Sequence, residues 1–244
     1  MRNLKAIIAY SGTDYFGWQK TRMGPSIEET LENALKQILQ EPLTLQAASR
    51  TDRGVHAEGQ VINFLTSKEI DLYKLKRALS GLLPRTIAIR SLEEAPLPFH
   101  PTLDCCGKEY HYYVCNTPFQ LPFLRHTSWH FHTPLDIDKM VEASAHLTGR
   151  HDFSAFTNIR LEDAIREVER IDIHALPGGR LRFEVEGPNF LYKMVRNIVG
   201  TLVYVGCQKL QPEELPRILA EKDRRLAGIT APAHGLFLNK VIYN

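Results

Sequence analysis

The sequence has few cysteines and no long apolar run, and these two absences exclude several classes of protein. Its four cysteines, of which Cys105 and Cys106 are adjacent, match neither a disulfide framework nor the paired C-x-x-C spacing of a zinc knuckle. No segment approaches the roughly 20 apolar residues that a membrane helix needs, and the N-terminal apolar run from Met1 to Tyr10 is short and typical of a strand. We therefore expect a soluble cytoplasmic protein with no address tag and no membrane partner.

The chain also lacks a strong net charge and the motifs of nucleotide cofactors. Its formal net charge is +2, so an RNA-binding site would have to be a local basic cleft rather than a generally basic surface. It contains neither G-x-G-x-x-G nor a P-loop, so we expect no nucleotide cofactor and no ATP. A length of 244 residues with 43% hydrophobic and 24% charged residues is typical of one large globular domain or two closely packed ones.

Apolar periodicity in the first half predicts alternating strands and helices. Ser26, followed by Glu29 three residues later, predicts the start of the first helix. The pattern predicts strands over 4–10, 43–48, 60–65 and 87–92, and helices over 27–39 and 72–82. This β-α-β-β-α-β order is that of the ferredoxin-like split unit, an antiparallel sheet with helices on one face.

Three prolines, Pro96, Pro98 and Pro101, interrupt this pattern, and we place a domain boundary between residues 104 and 105. Beyond it the pattern predicts strands over 109–114, 125–131, 167–174, 180–186 and 236–242, helices over 136–148 and 190–205, and a polar helix after Pro212. We therefore expect an α/β (α+β) protein with two ferredoxin-like or RRM-like halves, residues 1–104 and 105–244. The halves should share an extended, mainly antiparallel sheet with a central basic cleft.

The densest polar cluster is the run S-R-T-D-R-G-V-H-A at residues 49–57, which lies on a loop between two predicted strands. Arg50 and Arg53 bracket Asp52 with two positive charges, which favour the ionised carboxylate, and Gly54 permits a tight turn. By itself such a pattern more often indicates a structural aspartate that caps a turn than a catalytic one.

This cluster resembles the R-T-D-x-G-V-H-A core of the tRNA pseudouridine synthase A family, and further motifs follow in the family's order along nearly the whole chain. They are Tyr10, Gly12 and Thr13 with F-G-W-Q (16–19), K-E-Y-H-Y (108–112), H-D-F-S-A-F (151–156), F-L-Y-K-M-V-R-N-I-V-G-T-L (190–202) and T-A-P-A-H-G-L (230–236).

The resemblance implies a cofactor-free and metal-free isomerase that converts uridine to pseudouridine in a tRNA. Asp52 corresponds to the family's catalytic aspartate, Tyr110 to its active-site tyrosine, and Arg196 to an arginine that pairs with the aspartate. Whether Asp52 attacks the sugar carbon C1′ or removes a neighbouring sugar proton stays open. The resemblance also implies uridines 38 to 40 of the anticodon arm as targets, and a homodimer that binds the tRNA.

Arg50, Arg53, His56 and Lys193 are the residues predicted to bind the RNA. The guanidinium fork of arginine suits phosphate, which makes Arg50 and Arg53 the strongest candidates.

Some positions depart from the family pattern. Most bacterial relatives have alanine at the position of Arg53, and many have arginine where this chain has Thr102 and Thr157. Ser11 and the pair Cys207 and Gln208 also differ from common family residues. These departures bear on the range of tRNA substrates rather than on activity, because Asp52, Tyr110 and Arg196 are retained.

Two other functions stay open on the sequence. One is a non-catalytic tRNA-binding or folding protein with the same fold. The other is a glycosidase in which Asp52 works with a second acid, Glu58 or Asp152, roughly 5 to 9.5 Å away. A metal site is disfavoured, because two of its five candidate ligands lie on a predicted strand that does not bring four ligands together; the candidates are His100, Cys105, Cys106, His111 and Cys115.

Overall fold

The computed structural model describes residues 1–244 throughout and divides them into two compact units. Unit 1 comprises residues 1–106 and 238–244, and unit 2 comprises residues 107–237. This division lies two residues beyond the predicted boundary, and the C-terminal residues belong to unit 1. No helix is both long enough and apolar enough to span a membrane.

Both units combine helices with strands whose pairing is mainly antiparallel, which confirms the predicted α/β class. In chain order the elements are β1 (Arg2–Tyr10), α1 (Ile27–Leu39), β2 (Gln46–Ala47), β3 (His56–Thr66), α2 (Leu72–Leu82), β4 (Ile87–Ala95), β5 (Gly107–Cys115), β6 (Trp129–His130), α3 (Ile137–Ala145), β7 (Gly149–Asp152), β8 (Ile165–Val168), β9 (Arg170–Leu176), β10 (Arg180–Gly187), α4 (Met194–Gly206), α5 (Leu215–Glu221) and β11 (Leu236–Ile242).

Unit 1 has the predicted β-α-β-β-α-β order. Strand β1 pairs antiparallel with both β3 and β4, and β11 is a further neighbour of β3. Alternate side chains of β1, from Leu4 to Tyr10, are at most 4% exposed and form part of the core. Helix α1 begins after Ser26, whose hydroxyl accepts a hydrogen bond from the amide of Glu29, as predicted.

Strand β2 is shorter than predicted, and β3 begins earlier. Leu43 and Leu45 are buried, but only Gln46 and Ala47 pair with β3. The amide of Leu45 donates instead to the carboxylate of Glu32 on α1, at 3.3 Å. The buried segment 43–45 is therefore linked to α1 by a hydrogen bond rather than to β3 by strand pairing.

In unit 2, β10 pairs antiparallel with both β5 and β9, and β6 adds a short parallel pair at the end of β5. Strands β7 and β8 form a separate two-stranded sheet. Helices α3 and α4 pack against each other, α3 also packs on β9, and α4 also packs on β5.

The predicted bounds of two strands in unit 2 are wrong. The segment 167–174 contains two strands in different sheets, β8 and β9, separated at Glu169, whose amide donates to the carbonyl of Glu186 at 2.8 Å. The segment 125–131 is mostly a turn, because the amides of Thr127 and Ser128 both donate to the carbonyl of Leu124 at 3.0 Å. Only Trp129 and His130 pair as a strand.

Helix α4 begins at Met194 rather than at residue 190. Lys193 has a φ of 60°, in the left-handed region, which a right-handed helix does not include. The apolar run from Phe190 to Tyr192 is therefore a turn that leads into the helix.

Candidate active site

The Asp52 turn of unit 1 has a backbone that is held by several contacts. The amide of Val55 donates to the carbonyl of Asp52 at 3.1 Å, and the amide of Trp18 donates to the carbonyl of Thr51 at 3.0 Å. Gly17 has a φ of +97°, and a Cβ there would lie 2.9 Å from the Thr51 oxygen, so only glycine allows the two segments to lie this close. Asp52 itself is partly exposed. A partly exposed carboxylate thus stands on a fixed turn.

Buried hydrogen bonds at Thr51 and His56, on either side of Asp52, stabilise this turn. The hydroxyls of Tyr10 and Thr51 are hydrogen-bonded at 2.7 Å, and both side chains are buried. The Nδ1 atom of His56 accepts a hydrogen bond from the amide of Gly12 at 3.1 Å, and His56 is only 2% exposed. His56, which was predicted to contact RNA, is thus almost completely buried beside the Asp52 turn.

Arg50 and Arg53 are both exposed at this turn. The guanidinium of Arg53 lies 4.2 Å from the ring centroid of Phe16, a cation–π contact. The side chain of Arg53, a residue that departs from the family pattern, therefore lies against the ring of Phe16 and is still exposed to solvent.

Tyr110 lies in the middle of β5 in unit 2, where it is 7% exposed and opposite Val185 of β10. The ring of Phe190 meets it edge-on, with centroids 5.4 Å apart. Phe190 lies on the turn before α4, so this turn fixes the position of the Tyr110 ring.

Arg196 lies in the first turn of α4. Its Nε donates to the carbonyl of Ala231 at 2.8 Å, and the amide of Ala231 donates back to the carbonyl of Arg196 at 3.1 Å. The hydroxyl of Tyr112 donates to the neighbouring carbonyl of Pro232 at 2.8 Å. The Nε bond holds the guanidinium beside Ala231, and the other two bonds tie α4 and β5 to residues 231 and 232.

The charge of Arg196 also affects two titratable neighbours. Burial raises the pKa of Tyr112 well above its ordinary value, and the positive charge of Arg196 acts in the opposite direction. Burial lowers the pKa of His234; electrostatic interactions with His126 and Arg196 lower it further, against a hydrogen bond that the ring donates to the backbone carbonyl of Ser128, which raises it. Both groups therefore remain neutral near pH 7 beside a permanent cation.

Lys193 is partly exposed at the start of α4, and its ammonium group lies 4.9 Å from the ring centroid of Tyr192. Tyr192 is 44% exposed. This pair presents an aromatic ring and a cation to solvent in unit 2, which suits contact with RNA.

Sequence reasoning missed the buried network around Asn197. This fully buried side chain donates to the carbonyl of Phe156 at 2.7 Å and accepts hydrogen bonds from Arg224 at 2.9 Å and Thr230 at 2.6 Å. A single amide within the apolar run of α4 was the available signal. Arg224 is thereby tied to the buried side chain of Asn197.

Asp152, one of the two residues considered as the second acid of a glycosidase, forms an ion pair with a lysine. Asp152 pairs with Lys222 at 2.6 Å and accepts a hydrogen bond from the hydroxyl of Ser154 at 2.6 Å. Burial alone would raise the pKa of Asp152, but these two hydrogen bonds outweigh it and lower the pKa. A general acid needs a raised pKa, so Asp152 is poorly suited to that role.

Side chains of the kind that bind metals meet at a place the sequence did not indicate. The ligand atoms of Asp172, His174 and Glu184 lie within 4.8 Å of one another on β9 and β10. Arg170 lies 2.5 Å from Asp172, and Arg182 lies 2.6 Å from Glu184. These ion pairs already neutralise both carboxylates, so the cluster is an ion-pair network on a sheet face.

Comparison with known proteins decides the family. A family model described as tRNA pseudouridine synthase matches residues 6–104 and 143–244. The chain belongs to this family. It is therefore an isomerase that acts on uridine in tRNA, which confirms the predicted family and enzyme class. Tyr110 lies in the stretch 105–142, outside the residues matched by the family model.

Relatives within the synthase family match over all or nearly all of their length. The chain is 54% identical to tRNA pseudouridine synthase A 2 of Protochlamydia amoebophila, covering 100% of this chain and 95% of that protein. It is 40% identical to tRNA pseudouridine synthase A of Acetivibrio thermocellus, covering 100% of both. A solved H/ACA ribonucleoprotein bound to a substrate RNA matches at a TM-score of only 0.39 and 14% identity, over 82% of this chain and 43% of that one, which is too low to bear on the fold.

Proposed function

We propose that this synthase isomerises uridines 38 to 40 in the anticodon stem-loop of tRNA, with Asp52 as its catalytic carboxylate. The observation that carries the proposal is the Asp52 turn, whose backbone is held by Gly17, Trp18 and Val55 while the carboxylate remains partly exposed. A carboxylate held in one place but reachable by substrate is what nucleophilic or general-base catalysis needs.

In this reaction Asp52 helps to detach uracil from the ribose, either as a nucleophile at C1′ or as a base at a sugar proton. The base then turns and rejoins the sugar through its carbon five, and the proton on that carbon is lost. We assign Tyr110 to the base, because its ring can stack on uracil and its hydroxyl can assist removal of that proton. We assign Arg196 to orientation of the catalytic carboxylate on the strength of the family resemblance, since the guanidinium fork of arginine suits a carboxylate.

Arg50, Arg53 and Lys193 are exposed or partly exposed cations, and we propose that they contact tRNA phosphates. We propose that His56 stabilises the Asp52 turn rather than contacting RNA, because it is buried and accepts a hydrogen bond from the amide of Gly12. The target base must leave its stack to react, so the substrate uridine is flipped out of the stem-loop. We further propose a cytoplasmic homodimer, on the strength of the family resemblance; light scattering of the purified chain, with and without tRNA, measures its oligomeric state.

The test of the function is release of tritium from C5-labelled uridine in unmodified tRNA transcripts, without added metal, nucleotide or reductant. The wild type should release tritium from substrates with uridine at positions 38 to 40. Asp52→Asn keeps the shape of the side chain but removes its negative charge and nucleophilicity, so release should vanish while tRNA binding persists.

Asp138→Asn is the matched control, since it removes an exposed carboxylate at the start of α3 and should leave release unchanged. Substrates with cytidine at positions 38 to 40 and labelled uridine elsewhere identify the target positions. Full activity of Asp52→Asn would refute the assigned role of the aspartate. Tight tRNA binding by the wild type without any release would favour the non-catalytic alternative.

A further inference from the structure

An exposed aromatic surface lies on the segment 116–126 of unit 2, which we call the aromatic loop. Phe119 is 83% exposed and Phe123 is 96% exposed, and Leu121 between them is 39% exposed. Phenylalanine is rarely left this open to water without a partner, so two such rings on one short loop indicate a contact surface. The loop lies within the stretch 105–142, outside the residues matched by the family model.

Hydrogen bonds hold the backbone of the aromatic loop. The hydroxyl of Thr117 donates to the carbonyl of Phe119 at 2.7 Å, and the carbonyl of Thr117 is bonded to the ring of His130 at 2.8 Å. The amide of Leu124 donates to the carbonyl of Leu121 at 3.0 Å, which closes a single helical turn. The two rings are thus displayed by an ordered backbone, and little entropy would be lost when they bind.

The chain segment that carries the two rings contains basic residues and no acidic ones. No aspartate or glutamate occurs from Tyr110 to Leu135. The guanidinium of Arg125 donates to a ring nitrogen of His126 at 2.9 Å and to the carbonyl of Pro122 at 3.3 Å, and neither acceptor is a carboxylate. The loop therefore combines stacking surfaces with a cation that no carboxylate in the loop offsets, which favours a polyanion as its ligand.

We propose that the aromatic loop is a second RNA-binding surface, on which unpaired bases of the tRNA stack against Phe119 and Phe123 while Arg125 contacts a phosphate. Aromatic rings interleaved with arginine are the usual means of holding unstacked nucleotides without reading their sequence. A second copy of the chain is the alternative occupant; if two such loops met at a two-fold axis, their like charges would lie together with no carboxylate in either loop to pair them.

The first experiment measures the Kd of an unmodified, fluorescein-labelled tRNA transcript by anisotropy. The double variant Phe119→Ala/Phe123→Ala should raise Kd at least about five-fold for each ring removed, and KM for tRNA should rise with it while kcat is retained. Tyr73→Ala is the matched control, because Tyr73 on α2 is 69% exposed and also lies beside an arginine, Arg77. Its Kd should not change.

Tryptophan fluorescence can report stacking directly. The native tryptophans Trp18 and Trp129 are only 3% and 9% exposed, so bases of the tRNA should not stack on them and their fluorescence should stay constant. Phe123→Trp should lose fluorescence on addition of tRNA, and Tyr73→Trp should not. Arg125→Gln should reduce the slope of log Kd against log salt by about one. Arg217→Gln on α5, which removes an arginine paired with Glu221 at 3.0 Å, should not.

Unchanged Kd, salt slope and Trp fluorescence would overturn the proposal. It would equally be overturned if light scattering showed that the double variant dissociates a dimer while each protomer binds tRNA with unchanged Kd, since the loop would then join two copies. These readouts concern binding alone, so they remain informative even if Asp52→Asn proves active.

Discussion

Gly200 on α4 is a position where one methyl group should disturb both stability and the proposed active site. A Cβ at this residue would lie 1.7 Å from the carbonyl oxygen of Ile229 and 2.9 Å from its carbonyl carbon. Ordinary contact needs ~3.5 Å, so the backbones would have to separate by about 1.8 Å. The segment that would move carries Ala231, whose carbonyl accepts the Nε hydrogen bond of Arg196.

The cost of Gly200→Ala follows from two opposing effects. Overpacking a tight interior contact costs about 1–3 kcal/mol, and the upper end applies here because the obstructing atom belongs to the backbone. Replacing glycine by alanine within a helix returns about 1 kcal/mol through its higher helix propensity. The net expectation is a loss of about 2 kcal/mol in the free energy of unfolding.

Urea denaturation measures this loss, and Gly81→Ala supplies the matched control. Gly81 lies in α2, and nothing lies within 4 Å of the position its Cβ would occupy. The control should therefore gain up to about 1 kcal/mol. Replacement of glycine by alanine should thus lower the free energy of unfolding at position 200 and raise it at position 81. The kcat should fall for Gly200→Ala alone. Equal stability of the two variants would refute the reasoning about the contact between α4 and the segment 228–231.

Three further outcomes are expected. Arg196→Lys should lower kcat in the tritium assay by about 10- to 100-fold, because a charged hydrogen bond from the guanidinium fork is worth about 1.5–3 kcal/mol; an unchanged kcat would remove Arg196 from the reaction. Thr51→Val should cost about 1–3 kcal/mol in urea denaturation, because it leaves the buried hydroxyl of Tyr10 without this partner, while Thr51→Ser should retain most of the stability. Because burial holds the pKa of His234 below its ordinary 6.5, the unfolded chain binds a proton below that pH which the folded chain does not. Stability should therefore fall as pH drops below 6.5, and His234→Gln should make the fall shallower; an identical pH dependence in the variant would contradict this assignment.

Several parts of the fold were predictable because they depend on interactions between near neighbours in the chain. The periodicity of α1 and its Ser26 cap are set within a few residues, and the observed bounds of α2 and β11 agree with those predicted. The Asp52 loop was likewise visible as a polar run between two apolar segments. Family motifs along the chain carried the enzyme class, which the match to the family model confirms.

Contacts between distant residues decided the rest. The break between β8 and β9 depends on Glu186, which is 17 residues away from Glu169 in sequence and bonds to its amide. Helix α4 starts later than predicted because Lys193 adopts a left-handed conformation. The sequence does not indicate this, because glycine is the residue that usually marks such a position. Neither the burial of His56 nor the packing of Phe190 on Tyr110 follows from local pattern, because both are set by segments that meet only in the folded chain.

The sequence by itself thus determined the helices, most strands, the family and the identity of the candidate catalytic residues, since these depend on local periodicity and on motifs. Tertiary structure alone decided which polar side chains reach solvent and which brace the interior. Arg224 and Arg125 are both basic side chains, yet Arg224 bonds to the buried Asn197, whereas Arg125 is exposed on the loop that carries Phe119 and Phe123. The physical reason is that burial and hydrogen-bond partners depend on the whole packed chain, which a run of neighbouring residues does not specify.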